Sequence, residues 1–367
     1  MNKLHWNPYV FHQGEKDLLD FWGKHFNSDS QRKVLFIIGK GFDVRMNNIL
    51  RLLVNDKFNI QIKCIIIDYP NSNDEKYLTY VNQNFKNFED LISMGTNIEY
   101  DTIKYVIDTD NKENVGFSFA KDILKENIEN YTDILIDISA IPRSLYFPLI
   151  NALYYKTKKN KDINLFVLVS ENVEIDKKIK EFSFDDNVTY PHGFRSAIDK
   201  QSNQSKIKIF YPLLGENKAI ALQKIYNEIN PDDTSPVIPF PSKNPRRTED
   251  LLMEYHKDLR TKYMIERQNV LYGHERNPFE LYQLLINSIS SYEDTMDILN
   301  GCIFVIGILT SKLLSIGALL VGLEKNDIVS ICNLSANEYK IDNFEELITL
   351  NYESEPFSMW ILGEAYE

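Results

Sequence analysis

Short, wholly apolar runs alternate with longer amphipathic ones along most of the chain. Val34 to Ile38 and Ile62 to Asp68 are runs of strand length built from Ile, Val, Leu, Phe and Cys. Asp133 to Ile138, Ile163 to Val169, Ile207 to Tyr211 and Cys302 to Ile308 continue the series. Between them lie segments whose apolar positions recur near every 3.6 residues, such as Tyr77, Tyr80, Val81, Phe85 and Phe88. Strands buried on both faces read as continuous apolar runs. Alternation of such strands with helices predicts a parallel sheet with right-handed crossovers.

The predicted fold class is therefore α/β, with two Rossmann-like parallel-sheet units in one chain. The first is expected over residues 1–182, with Glu99 to Ile107 as an edge strand. Residues 183–206 are polar and aperiodic and read as a linker or loop. The pattern resumes over 207–367, with helices at Gly215 to Ile229, Thr248 to Tyr263, Pro278 to Ser290 and Leu313 to Leu323. Short strands are expected there at Val237 to Phe240, Gln268 to Tyr272 and Asp327 to Cys332. No repeat of solenoid length is visible.

Charge narrows the class of partner. The 367 residues carry 41 Lys and Arg against 53 Asp and Glu, a formal charge of −12. Binding to an extended nucleic-acid surface needs a surplus of cations over phosphates, so only a local basic pocket is expected. The three cysteines, Cys64, Cys302 and Cys332, are far apart in apolar runs and read as buried small hydrophobes in a reducing compartment. The N-terminus lacks a continuous apolar segment of the secretory kind. The longest apolar stretch, Cys302 to Leu323, is interrupted by Lys312, which argues against a membrane span. The expectation is a cytoplasmic protein.

In open α/β sheets ligands bind beyond the carboxyl ends of the strands, so the residues that follow the strands are the candidates. The first loop is Gly39-Lys40-Gly41-Phe42-Asp43-Val44-Arg45. Its glycines allow close backbone approach, and the helix after it favours an anion; equally, it reads as a tight turn with Asp43 as a cap. The second is Asp137-Ile138-Ser139-Ala140-Ile141-Pro142-Arg143. Here Ser139 is a candidate cap, and Arg143 at a helix start calls for an offsetting anion, either a phosphate or an internal carboxylate such as Asp137. The third, Leu309-Thr310-Ser311-Lys312, repeats the device, with Thr310 or Ser311 as the alternative cap and Gly317 allowing helix and sheet to approach closely. The fourth is a polar cluster with Arg246 and Arg247, the only adjacent arginines, and Glu275 with Arg276. Arginine suits bidentate phosphate contacts; the alternative is a solvated loop with capping residues. Asp68, at the end of its strand, is a candidate acceptor for ribose hydroxyls. No metal-ligand spacing and no standard catalytic motif is present.

Two resemblances follow from these residues. The strand and turn Ile134-Leu135-Ile136-Asp137-Ile138-Ser139, with the long helix after them, resemble the CARF-type Rossmannoid ligand-sensing domains of prokaryotic immune systems, over residues 130–160. Where that family's turn is usually glycine-rich, this chain has Ala140-Ile141-Pro142. The resemblance implies an oligonucleotide second messenger bound at Asp137 and Ser139. The Gly39–Arg45 loop resembles the glycine loop of methyltransferases that use S-adenosylmethionine, which implies a ribose contact at Asp68.

The preferred expectation is a nucleotide- or phosphate-ligand-binding protein, a sensor or component of an antiviral defence system, with the loops of both units around one ligand. Its partners would be a small phosphorylated ligand or nucleotide and a protein encoded nearby. The alternatives are a nucleotide-modifying enzyme or methyltransferase, and a non-catalytic assembly partner in a defence complex.

Overall fold

The computed structural model describes residues 4–27, 30–54, 58–69, 74–95, 97–104, 112–296, 298 and 300–366. In chain order the first elements are β1 (Val10–Gln13), α1 (Glu15–His25), β2 (Arg32–Lys40), α2 (Asn48–Leu53), β3 (Ile60–Asp68), α3 (Asp74–Met94), β4 (Ile98–Lys104) and α4 (Lys112–Ile123). Then come β5 (Asp133–Asp137), α5 (Arg143–Thr157), β6 (Asn164–Glu171), α6 (Val173–Lys178) and β7 (Ile179–Phe184). The chain continues through α7 (Ser196–Asp199), β8 (Ile207–Leu213), α8 (Ala219–Ile229), β9 (Asp233–Thr234), β10 (Val237–Pro239), α9 (Arg247–Lys257), β11 (Leu271–Gly273) and α10 (Pro278–Met296). It ends with β12 (Cys302–Ile308), α11 (Lys312–Glu324), β13 (Val329–Cys332), β14 (Ala336–Ile341), α12 (Phe344–Asn351) and β15 (Glu355–Leu362).

These elements form two α/β units, and the chain divides between them differently from the expected 1–182, 183–206 and 207–367. One unit is Pro8–Ile179 with Ile341–Glu367; the other is Lys180–Lys340 with Met1–Asn7. The second is thus inserted in the chain of the first. β7 and β14, by which the chain leaves and returns, pair with each other. The difference has a physical source. β15 reads apolar like any buried strand, and it pairs antiparallel with β6 and with β1 rather than joining the nearer sheet in sequence. The stretch 183–206 is also structured: Ile198 N donates to Ser330 Oγ in β13, and Phe194 and Ala197 are buried.

In the outer unit the sheet order is β1-β15-β6-β5-β2-β3-β4. The five strands from β6 to β4 are parallel, so this is a parallel sheet with two antiparallel strands added at one edge. Consecutive residues of β2, Val34 through Ile38, are all fully buried, which explains the unbroken apolar run. One face packs on Leu18, Trp22, Ile49 and Leu50 of α1 and α2.

The inserted unit repeats the design. Its sheet runs β11-β10-β8-β12-β13, with β9 beside β8, and these strands pair in parallel. Phe210 and Val305 pack with Leu222, Ile225, Leu251 and Tyr255 of α8 and α9. In both sheets the first long strand lies between strands reached in opposite directions, giving a switch point between β2 and β5 and another between β8 and β12. Gly317, expected to ease helix–sheet packing, instead lets α11 approach α10. A Cβ there would stand 2.7 Å from the Pro278 carbonyl and 2.9 Å from Leu281.

No helix among the described residues is long and apolar enough to cross a membrane. All three cysteines are buried. Burial pushes the Cys64 thiol up to about 12 and the Cys302 thiol up to about 11, which removes both as nucleophiles near neutral pH.

Candidate functional site

The switch point of the outer unit is built from the first two candidate loops, and its charged groups are taken up internally. Lys40 Nζ lies 3.0 Å from Asp68 Oδ2 and 4.8 Å from the centre of the Phe85 ring. Asp68, expected to accept a ribose, is therefore the partner of Lys40. Asp43 does not cap α2. It accepts the Arg45 backbone N–H at 3.0 Å and its side chain at 2.9 and 2.8 Å. Arg45, only 4% exposed, also pairs with Asp176 at 2.9 Å. Burial alone would lower the pKa of Arg45, but the charges of Asp176 and Asp43 outweigh it and hold the guanidinium well above its ordinary value. The loop expected to grip an anion through Lys40 and Arg45 is a set of internal ion pairs. The helix after it has six residues and begins at Asn48, not directly after the loop.

Depth is closed there as well. A Cβ on Gly39 would stand 2.8 Å from the Ala140 carbonyl oxygen. That oxygen accepts the Tyr69 hydroxyl, which lies 3.5 Å from where a Gly41 Cβ would be. Close approach by these glycines lets the Ala140 carbonyl and the Ile141 side chain pack against the turn. Asp137 and Ser139 are buried: Asp137 Oδ1 accepts Ser139 N at 2.9 Å, and Ser139 Oγ accepts Ser170 N of β6 at 2.8 Å. Ser139 joins β5 to β6; it is not a cap. Pro142 holds the N-cap position of α5 and Arg143 is its first residue, half-buried.

The inserted unit brings the other two candidate loops to one sheet edge. Gly215-Glu216-Asn217 follows β8, Phe240 to Arg247 follows β10, His274-Glu275-Arg276 follows β11, and Thr310-Ser311-Lys312 follows β12. A Cβ on Gly215 would collide with the Leu309 carbonyl, so β8 and β12 meet through a position that only glycine fills. Ser311 is the N-cap of α11, its hydroxyl accepting Leu314 N at 3.3 Å, and Lys312 is the first helical residue. Thr310 is buried.

Arg247 is the hub. It is 4% exposed, and each of its nitrogen groups is engaged. Nε reaches Glu216 Oε1 at 2.6 Å, Nη2 reaches Glu216 Oε2 at 2.9 Å, and Nη1 donates to Glu275 Oε1. Burial would lower the Arg247 pKa, but hydrogen bonds and charges from Glu216 and then Glu275 hold it above the ordinary arginine value. Glu275 uses its other oxygen to accept Lys243 N at 2.5 Å. Arg247 and Glu275, both candidate ligand residues, are paired with each other. The hub ties together the loops after β8, β10 and β11. Tyr255 reinforces it by donating to Gly215 O at 2.6 Å.

Lys243 and Arg246, which are exposed, and Arg276 and Lys312, which are half-buried, follow β10, β11 and β12 on the same edge. His274 Nδ1 accepts Arg276 N at 3.1 Å, which fixes the start of that turn. A cavity of only about 10 Å³, room for about one water, lies between the ends of β8, β10 and β11, with Thr310 and Leu314 on its wall. Enclosed ligand pockets run from roughly 300 to 1,000 Å³, so a larger ligand would lie across the loops rather than inside. Among the described residues no group of three His, Cys, Asp or Glu is arranged to hold a metal ion. Glu216 and Lys243 lie within the fourth polar cluster, between Gly215 and Glu280, but the sequence alone does not single them out. Tyr272 also lies in the fourth cluster, and Phe240 ends an expected strand.

No family model matches the chain, and no curated protein matches it in sequence. Two solved structures align over most of its length. One, from Pseudomonas aeruginosa UCBPP-PA14, is assigned as a universal stress protein: 12% identity, 88% of this chain and 98% of that one, TM-score 0.25. The other is the cytoplasmic domain of a prokaryotic cation chloride cotransporter: 11% identity, 84% and 96% of the two chains, TM-score 0.21.

Proposed function

We propose that the protein binds a small phosphorylated ligand at the strand-end edge of the inserted unit. The observation that carries this reading is the Arg247 hub. It fixes three strand-end loops, which between them carry Lys243, Arg246 and Arg276, on the same sheet edge as the loop that carries Lys312. Those four cations follow the carboxyl ends of β10, β11 and β12, the side on which open α/β sheets take their ligands, and Lys312 follows β12 beside the switch point. Their charge contrasts with that of the chain as a whole, which is −12. The role is binding or sensing, in line with the absence of a standard catalytic motif.

Thermal shift of the full chain tests this with inorganic tripolyphosphate, nucleotides, S-adenosylmethionine and the cyclic oligonucleotides that the CARF-type resemblance implies. A ligand that binds only the folded form stabilises it by about 2.7 kcal/mol at one hundred times its Kd. A phosphorylated ligand is expected to raise the midpoint, and Arg246→Ala with Arg276→Ala to abolish the rise. No response to any of the phosphorylated compounds at millimolar concentration overturns the reading. A response confined to a cyclic oligonucleotide supports the sensor role in antiviral defence.

A further inference from the structure

We infer that Phe240 and Tyr272 form a nucleobase platform, so that the phosphorylated ligand is a nucleotide; the inference rests on the binding reading above and deepens it. Phe240 follows β10 directly, and Tyr272 is the middle residue of β11, the edge strand of its sheet. They are 55% and 49% exposed. Their ring centroids are 6.1 Å apart at 77°, so the two rings form the walls of a corner rather than covering each other.

Their surroundings are held in place. Phe240 N donates to Gly273 O at 2.7 Å, Glu275 N donates to Pro241 O at 3.1 Å, and Lys243 N donates to Glu275 at 2.5 Å. These bonds run the segment 240–243 alongside 272–276, with the Arg247 hub behind. Lys243 lies three residues after Phe240, and Arg276 four after Tyr272, so the same paired loops carry both rings and both cations. Three extended residues span at most about 10 Å. An exposed aromatic corner offers a π-face to a planar ring, and adjacent cations offer a site to a phosphate. A nucleotide presents both groups covalently joined. A simple phosphate uses only the cations, and an apolar peptide only the rings. Aromatic stacking of this kind accepts any base, since every base has a π-face.

Calorimetric titration of the full chain with ATP, GTP, adenosine and inorganic tripolyphosphate separates these. ATP and GTP are expected to bind more tightly than tripolyphosphate. Phe240→Ala and Tyr272→Ala should each weaken ATP about tenfold while leaving tripolyphosphate unchanged. Tyr272→Phe should bind ATP as the parent does. Arg276→Ala should weaken both ATP and tripolyphosphate. Both rings are exposed, so these variants retain the fold, which circular dichroism checks. Equal affinity for ATP and tripolyphosphate, or alanine variants that bind ATP like the parent, overturns the platform and leaves the anion site standing. No binding of ATP or tripolyphosphate removes the proposed function and the platform with it.

Discussion

Trp6 packs edge to face against Tyr282, with ring centroids 5.3 Å apart, and is fully buried. Residue 6 is thereby part of the core of the inserted unit, 276 positions away in sequence. The hydroxyl of Tyr282 donates onward to Glu324 at the end of α11. Replacing a buried Trp by Ala costs about 3–5 kcal/mol. Trp6→Ala is expected to lower the protection of β8 and β12 amides in native-state hydrogen exchange by that amount. An unchanged protection pattern would show that the N-terminal residues add nothing to that core.

Arg247 and its two carboxylates give a second prediction. Removing one partner of a buried ion pair costs about 3–5 kcal/mol, because the remaining charge is left without compensation. Arg247→Met should therefore lower Tm by about 6–20 °C for a unit of this size. The triple variant Arg247→Met, Glu216→Gln, Glu275→Gln removes the stranded charges and should recover a large part of the loss. If the triple variant is less stable than the single one, the carboxylates hold the loops by other means.

The strand–helix alternation was legible because burial on both faces makes strand interiors continuously apolar, as Val34–Ile38 of β2 and Cys302–Ile308 of β12 show. The division of the chain was not. β15 has the same composition as its neighbours, and nothing local to Glu355–Leu362 says that it pairs with β6. The candidate loops were legible as strand ends, since glycine, serine and arginine cluster there. Their roles were not, because a cation after a strand looks the same whether it faces solvent, as Arg246 does, or a carboxylate, as Arg247 and Arg45 do. The partners Glu216 and Asp176 lie 31 and 131 residues from the arginines they neutralise.

Glycines separate by what surrounds them. Gly23 lies within α1, and a Cβ there would meet nothing within 4 Å. Gly23→Ala is expected to stabilise the protein by about 0.5–1 kcal/mol, through helix propensity alone. Gly39→Ala sets a methyl 2.8 Å from the Ala140 carbonyl and 2.9 Å from Ile141, and should cost about 1–3 kcal/mol. Urea denaturation of the two variants checks the opposite signs. A stabilising Gly39→Ala would mean that the two turns are not in contact.

The amino-end side of the outer sheet holds a buried charge cluster whose pH dependence has a definite sign. Asp133, fully buried at the start of β5, accepts His25 Nε2 at 2.7 Å, the Thr132 hydroxyl at 2.6 Å and Asn164 Nδ2 at 3.1 Å, with Arg32 at 3.4 Å. Glu364 completes the group through Arg32 at 3.1 Å and Asn164 at 3.2 Å. Burial pushes the Asp133 carboxyl up, but the hydrogen bond and charge of His25, followed by Thr132 and Arg32, pull it below its ordinary value. A depressed folded pKa gives stability that is present above the unfolded value of about 3.9 and is lost as pH falls below it, through the folded pKa. Asp133→Asn should therefore cost about 3–5 kcal/mol at pH 7, where it strands a buried partner. The gap between parent and variant should close as pH is lowered from 5 toward 2. Urea midpoints across that range read the gap directly. A gap that stays constant down to pH 2 would show that Asp133 contributes by shape and not by its charge.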